Sequence, residues 1–347
     1  MAKVSLESID KVCEESLKAV GVPARSIEII TDTIHFANRR GVATHGVGRL
    51  PLYIKKIRSG FFEADDKTEL IMDKGALALF DAHHGFGQVA SHHAMELAVK
   101  KAKEYGIAAV GVRNSNNFGM AGYFGDMAAR AGFAAQIYAN AAPAIAPTGG
   151  SRAIFGTNPL CYAYPAGEGE DPVVLDMATT IAARGKIRLA AKNGEKIPSD
   201  WAVDANGDPT DDPNEALKGT LLPIGGYKGY GLSLFVDLFA GLMTGSAAAG
   251  EVKPLSDMGA YSNNGHLFIL MDAKTFCAEE DLKAQMAAFR KAVKECGNEG
   301  AVLLPGERGN AKMKINTDDV EISDKQFAEI NALAEEMGIA SRLEKGV

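Results

Sequence analysis

From Ile107 to Val112 the chain runs six residues without a polar side chain, one residue after an alanine-rich stretch, Val89 to Tyr105, patterned for a helix. A strand with no polar face has to be covered on both sides, which is the environment of a sheet layered between helices. Alternating apolar residues from Glu69 to Phe80 supply a strand ahead of that helix, so the segment reads as β-α-β. The rhythm continues with a helix at Gly122 to Ala131, strands at Gly132 to Asn140, Leu160 to Tyr164 and Pro172 to Leu175, helices at Thr179 to Ala191 and Gly229 to Leu242, and a strand at His266 to Met271. The middle of the chain is therefore α/β.

Both ends read differently. Leu6 to Val20, Pro23 to Arg39 and Gly46 to Arg58 are three helices in a row, and Glu279 to Cys296 and Asp324 to Met337 are two more, expected to pack back on the first three. At 347 residues the chain exceeds what one core fills, so two closely packed domains are expected. The boundaries expected are a helical part at 1–75, an α/β part at 76–275, and C-terminal helices at 276–347 that rejoin the first part. Between Gly194 and Pro223 a polar run rich in Asp, Asn, Gly and Pro reads as a long surface excursion, a candidate lid.

Composition narrows the function. With 46% hydrophobic and 23% charged residues the chain is an ordinary globular protein. A net charge of -7 and no basic stripe argue against a nucleic-acid partner, and no span approaches the ~20 apolar residues of a membrane helix. Met1 to Glu7 lacks the basic-then-apolar pattern of a secretory signal, so a cytoplasmic location and small-molecule partners are expected. Cys13, Cys161, Cys277 and Cys296 are too scattered for a metal site and read as reduced packing residues.

Several segments carry chemistry. His45 and Arg49 lie one turn apart if a helix begins near Thr44, bringing a proton donor and a carboxylate-binding fork to one face. Thr44 either caps that helix or orients the imidazole, and Tyr53 falls two turns on toward the same pocket. A wetted histidine at a helix start is the plainer alternative, and spacing alone leaves both open. Asn114 to Gly119 follow the buried strand, where α/β sheets bind ligands; they either hold a carboxamide, phosphate or substrate oxygen or simply make a turn and cap. Asp176 to Thr180 join a strand to a helix, with Arg184 one turn in, as an anion-binding helix start or as a plain capped junction. Gly225 to Gly231 bracket Lys228 with glycines but lack P-loop spacing. Gly85 to Ala90 fit the dinucleotide fingerprint, yet four residues separate the strand from the first glycine and no acidic ribose reader follows the next strand. His83, His84, His92 and His93 suggest zinc, but positions 84 and 92 are about 12 Å apart along a helix, so no metal is expected.

Taken together, Arg40-Gly41, Thr44-His45-Gly46, Arg49-Leu50, Asn114 to Gly122, Phe155 to Pro159, Asp176 to Thr179 and Lys228 to Gly231 resemble, in order, the motifs of the malate/L-lactate dehydrogenase family. That family also holds sulfolactate, ureidoglycolate and diketogulonate dehydrogenases and cyclic-imine reductases. The resemblance covers nearly the whole chain. It implies a non-Rossmann α/β fold with a mixed-sheet nicotinamide-binding domain, a helical domain built from both chain ends, and an intertwined homodimer. It implies NAD or NADP as cofactor, with NAD preferred, and interconversion of a 2-hydroxy acid and a 2-oxo acid. His45 is then the acid/base, assisted by Thr44, and Arg49 the carboxylate anchor. Tyr53, Asn117 and Thr157 are implied at the substrate; Phe118, Gly119, Met120, Ala121, Asp176, Met177, Ala178, Arg184, Gly185, Lys228, Gly229, Pro305, Gly306 and Glu307 at the cofactor. Two positions depart from the family: Thr44 replaces a serine and keeps its hydroxyl, whereas Asn117 replaces a histidine and cannot titrate. The rival readings are a cyclic imine or ureidoglycolate as substrate, or a cofactor-binding protein without catalysis.

Overall fold

The computed structural model describes residues 1–167, 169–298 and 300–346. Strands are β1 (Ala2–Ser5), β2 (Glu69–Lys74), β3 (Leu77–Asp81), β4 (Ile107–Ser115), β5 (Ala134–Ala139), β6 (Leu160–Tyr164), β7 (Val173–Met177), β8 (Ala202–Val203), β9 (Thr220–Leu221), β10 (Asn264–Met271) and β11 (Asp319–Ile322). Helices are α1 (Leu6–Ala19), α2 (Ala24–Arg39), α3 (Leu50–Arg58), α4 (Gly87–Tyr105), α5 (Ala121–Arg130), α6 (Arg184–Asn193), α7 (Pro213–Lys218), α8 (Tyr227–Val236), α9 (Glu279–Glu295), α10 (Glu307–Ile315) and α11 (Asp324–Glu336).

Seven strands form one mixed sheet in the order β2-β3-β4-β10-β5-β6-β7. Only β3 and β4 pair in parallel, joined across α4; every other pairing in this sheet is antiparallel. β4 is flanked on both edges, by β3 and β10, and Ala108, Val110 and Val112 are fully buried, as the apolar run demands. α4 and α5 cover one face, where small Ala90, Ala94, Ala98 and Ala102 let α4 approach Val110, Phe268 and Leu270 closely. The opposite face receives α8 and the π-turns at Asp237–Leu242, packing Val236 and Ala240 on Tyr138, Leu160 and Leu267.

Helices α1 to α3 share a second core with α11 and with the two-stranded sheet β1-β11, which knits the two chain ends together. The structure departs from the sequence reading at several points. Glu69 to Phe80 is a hairpin, because Gly75 takes φ +56° and turns the chain; β2 joins the main sheet, and the expected boundary at 75 falls inside its turn. α9 does not join the N-terminal helices: Arg290 bonds the carbonyl of Asp171 and pairs with Glu170 beside the sheet. The stretch from Gly194 to Pro223 is ordered, with α7, β8 and β9 closing a small core of Ile187, Ile197, Ala202, Ala216 and Leu221. Cys13 and Cys161 are buried and free as expected, while Cys296 is exposed and packs nothing. Among the described residues no helix is long and apolar enough to cross a membrane.

Candidate active site

His45 belongs to a tight turn, and Val47–Arg49 after it is one turn of 3-10 helix that leads into α3. The helix expected from Gly46 thus begins at Leu50, and Thr44 caps nothing. Its hydroxyl lies 3.0 Å from His45 Nδ1, and its carbonyl accepts from Arg49 Nε at 2.6 Å. One residue therefore holds both functional side chains, leaving His45 Nε2 and the Nη fork of Arg49 without a protein partner among the described residues. Gly46 is obligatory here, since a β-carbon would fall 2.0 Å from Asn38 Oδ1, the atom that accepts from Val47 N. His45 is half-exposed by its own surface but sits in a cleft, and desolvation, helped by Arg49's charge, pushes its pKa down to about 3.

Across from this turn, Tyr53 of α3 reaches the loop after β4. Its hydroxyl accepts from Gln88 Nε2 at 2.9 Å and donates to Asn117 Oδ1 at 3.3 Å, and the charge of Arg49 acts on it. Asn116 Nδ2 donates to the carbonyls of His84 and Gly85, fixing the same loop from behind. The fingerprint glycine Gly87 is explained by this packing: a β-carbon there would meet the carbonyl oxygens of Asn116 and Asn117 at 2.3 and 2.7 Å. The start of α4 is filled by protein and offers no phosphate cradle. His266 on β10, which sequence reasoning passed over, stacks on Phe118 at 4.5 Å and places Nε2 near Ser115 Oγ and the Asn116 carbonyl. Burial depresses its pKa to about 3, so it is a neutral part of the loop's support. Its only signal was a polar ring interrupting an apolar strand; Gln88 gave none.

The residues implied at the cofactor divide into two groups. Asp176, at the end of β7, caps α5: its Oδ2 accepts from Gly122 N at 2.7 Å, and burial, opposed by that bond and by Arg40, raises its pKa to about 6. Gly306 gives its carbonyl to Arg40 Nη2 at 3.0 Å, Pro305 gives its own to Val174 N, and Glu307 accepts from Leu304 N and Lys294. Thr179 donates both its N–H and its hydroxyl to the Thr157 carbonyl, and Ile181 N bonds Leu222 O. The helix expected from Thr179 therefore starts at Arg184, and the amides of Thr179 and Ile181 are already bonded to protein. Arg184 Nη2 likewise donates to Leu217 O.

The second group is open. Gly225 and Gly226 both take positive φ, 57° and 63°, to turn the chain into α8, and Gly226 and Gly231 have clear space where a β-carbon would stand. Lys228 between them is exposed, with no hydrogen-bond or ion-pair partner among the described residues. Gly185, at the start of α6, lies so close to Thr44 that its β-carbon would stand 3.7 Å from the threonine methyl. An unpaired ammonium beside bare backbone suits a ligand carrying phosphates. The histidines at 83, 92 and 93 pair with carboxylates instead, and among the described residues no group of three or more ligands could hold a metal ion.

The sequence profile of the malate/L-lactate dehydrogenase family matches residues 4–331. L-sulfolactate dehydrogenase of Methanothermobacter thermautotrophicus is 37% identical over 338 residues, 97% of this chain and 98% of that protein. Delta(1)-pyrroline-2-carboxylate reductase of Ancylobacter novellus is 33% identical, over 95% of this chain and 97% of its own. Among solved structures, sulfolactate dehydrogenase of Methanocaldococcus jannaschii superposes with a TM-score of 0.90 at 34% identity, covering 97% of this chain and 98% of that one.

Proposed function

This chain belongs to the malate/L-lactate dehydrogenase family, and from that premise we propose that it interconverts a small 2-hydroxy acid and its 2-oxo acid with NAD or NADP, His45 carrying the proton. The observation that carries this reading is the Thr44 turn, which fixes the imidazole and the guanidinium while leaving the working end of each free. Arg49 offers its fork to the substrate carboxylate in two parallel hydrogen bonds. Lys228, Gly229 and Gly185, with the loop from Phe118 to Ala121, would hold the cofactor, and the bonded residues Asp176, Gly306 and Glu307 would shape the wall behind it. Bound there, a reduced nicotinamide supplies the hydride.

The chain's own part is proton traffic. In oxidation, Nδ1–H donates to the Thr44 hydroxyl, leaving the Nε2 lone pair to take the proton from the substrate hydroxyl. In reduction, hydride adds to the carbonyl carbon, the C=O π pair moves to oxygen, and that oxygen takes the proton from Nε2. His45 is neutral in the free enzyme because burial first, and Arg49's charge second, hold its pKa near 3; a carboxylate on Arg49 offsets the second of these and so favours proton uptake when the 2-oxo acid binds. Reduction of a cyclic imine carboxylate is the second reading, favoured by the non-titrating Asn117 and by the pyrroline-carboxylate reductase relative. A steady-state screen of both reduced cofactors against 2-oxo acids and cyclic imines separates the two; turnover of imines alone rejects the first.

A second copy of the chain is proposed as the partner. Phe235, Leu238, Phe239, Leu242 and Met243 stand 56, 38, 37, 65 and 59% exposed, one apolar stripe on α8 and the π-turns. The stripe continues from α8, whose first turn carries Lys228, so pairing through it would steady the cofactor side of the site. Sedimentation that gives a monomer at micromolar concentration rejects the pairing.

A further inference from the structure

We infer that Asn117 is a specificity-determining hydrogen-bond donor, its amide nitrogen locked toward an anionic oxygen of the substrate. The inference rests on the 2-oxo acid reading above and gives it a second contact besides Arg49. The orientation follows from one bond: the N–H of Gly119 can only donate, and it lies 3.2 Å from Asn117 Oδ1, so the oxygen of that amide faces inward. Tyr53 adds a second donor to the same oxygen at 3.3 Å, filling both lone pairs. Tyr53 cannot swing away, because it is 1% exposed, meets the ring edges of Phe62 and Phe86, and accepts from the equally buried Gln88.

What remains is the Nδ2 group, two N–H donors with no protein partner among the described residues, on a side chain that keeps some exposure. Such a face gives hydrogen bonds and takes none, so it selects oxygen acceptors that carry charge and rejects donors. Arg49 lies near enough for its charge to act on the Tyr53 hydroxyl that holds Asn117. Two oxygens of a 2-oxo acid answer that description: the keto oxygen as it becomes an alkoxide, and the acidic group at the far end of a dianion. Tyr53 and Gln88 act through Asn117 and are positioning residues.

Asn117→Asp keeps the inward acceptor and replaces the outward donor by oxygen. With pyruvate and oxaloacetate as probes, kcat/KM at neutral pH falls on the order of 100-fold while cofactor affinity, read from reduced-cofactor fluorescence, stays within about twofold. As pH drops and the new carboxyl gains a proton, a donor returns and the ratio of variant to wild-type kcat/KM climbs back toward one, a signature that a packing role would not produce. A loss confined to kcat for both acids assigns the keto oxygen; a loss in KM for oxaloacetate alone assigns the far acidic group. Tyr53→Phe, which keeps the Gly119 bond, falls in the same direction by about 10-fold. The inference is overturned if Asn117→Asp stays within about threefold of wild type at every pH, or if both variants lose cofactor affinity as steeply as turnover. Wild-type enzyme that reduces no 2-oxo acid rejects the functional reading itself, and this inference falls with it.

Discussion

Two groups of charged residues in and around the family motifs are bonded in opposite ways. Arg40, Asp176 and Glu307 spend their charge on protein: Arg40 on Asn310 and the Gly306 carbonyl, Asp176 on the Gly122 amide, Glu307 on Lys294 and Leu304. His45, Arg49 and Lys228 are held at one point or none and keep their outer atoms free. In the proposed reading the first group builds the wall and the second is left for ligands. Arg40 is buried and needs its protein acceptors, whereas Arg49 and Lys228 keep enough exposure for water to solvate them until a ligand takes its place. Motif matching places members of both groups at the site; bonding tells them apart.

Mutations that separate wall from ligand site test the division. Arg49→Lys keeps the charge and loses the fork, and is expected to raise KM for the 2-oxo acid about 100-fold with unchanged melting, measured by steady-state kinetics and calorimetry. Arg40→Ala removes a buried cation from its acceptors and is expected to cost about 3 kcal/mol of stability, seen in denaturant unfolding, with any kinetic change following the loss of fold. Lys228→Ala is expected to weaken cofactor binding about 10-fold and leave KM for the acid and the unfolding midpoint in place. Asp176→Asn is the mildest, within about threefold in cofactor affinity at neutral pH, because an amide oxygen can still accept from Gly122. A larger effect on cofactor binding from Asp176→Asn than from Lys228→Ala reverses the division.

The sequence carried the layers well, because their signal is local. The unbroken run from Ile107 to Val112 could only be an inner strand, and the His45 to Arg49 spacing brought two functional groups together whether the turn was α or 3-10. What stayed hidden depended on partners distant in sequence. Thr179 looked like a helix start and instead bonds Thr157, while the reason for Gly87, already doubted as a phosphate turn, is the close approach of Asn116 and Asn117. β1 and β11 are four residues each and find one another across the whole chain, which no periodicity announces. His266 has no partner in any motif; only the register of β10 against β4 brings it beneath Phe118.

The central claim, that His45 moves the proton, is tested most directly by the pH dependence of kcat/KM for 2-oxo acid reduction in wild-type enzyme and in His45→Ala. With the free-enzyme pKa near 3, the protonated fraction falls tenfold for each pH unit above it. Wild-type reduction should therefore decline with a slope near -1 from about pH 6 to 8. The alanine variant should be on the order of 1000-fold slower with that slope gone and cofactor affinity kept. Undiminished turnover in His45→Ala, with the wild-type slope intact, would contradict it.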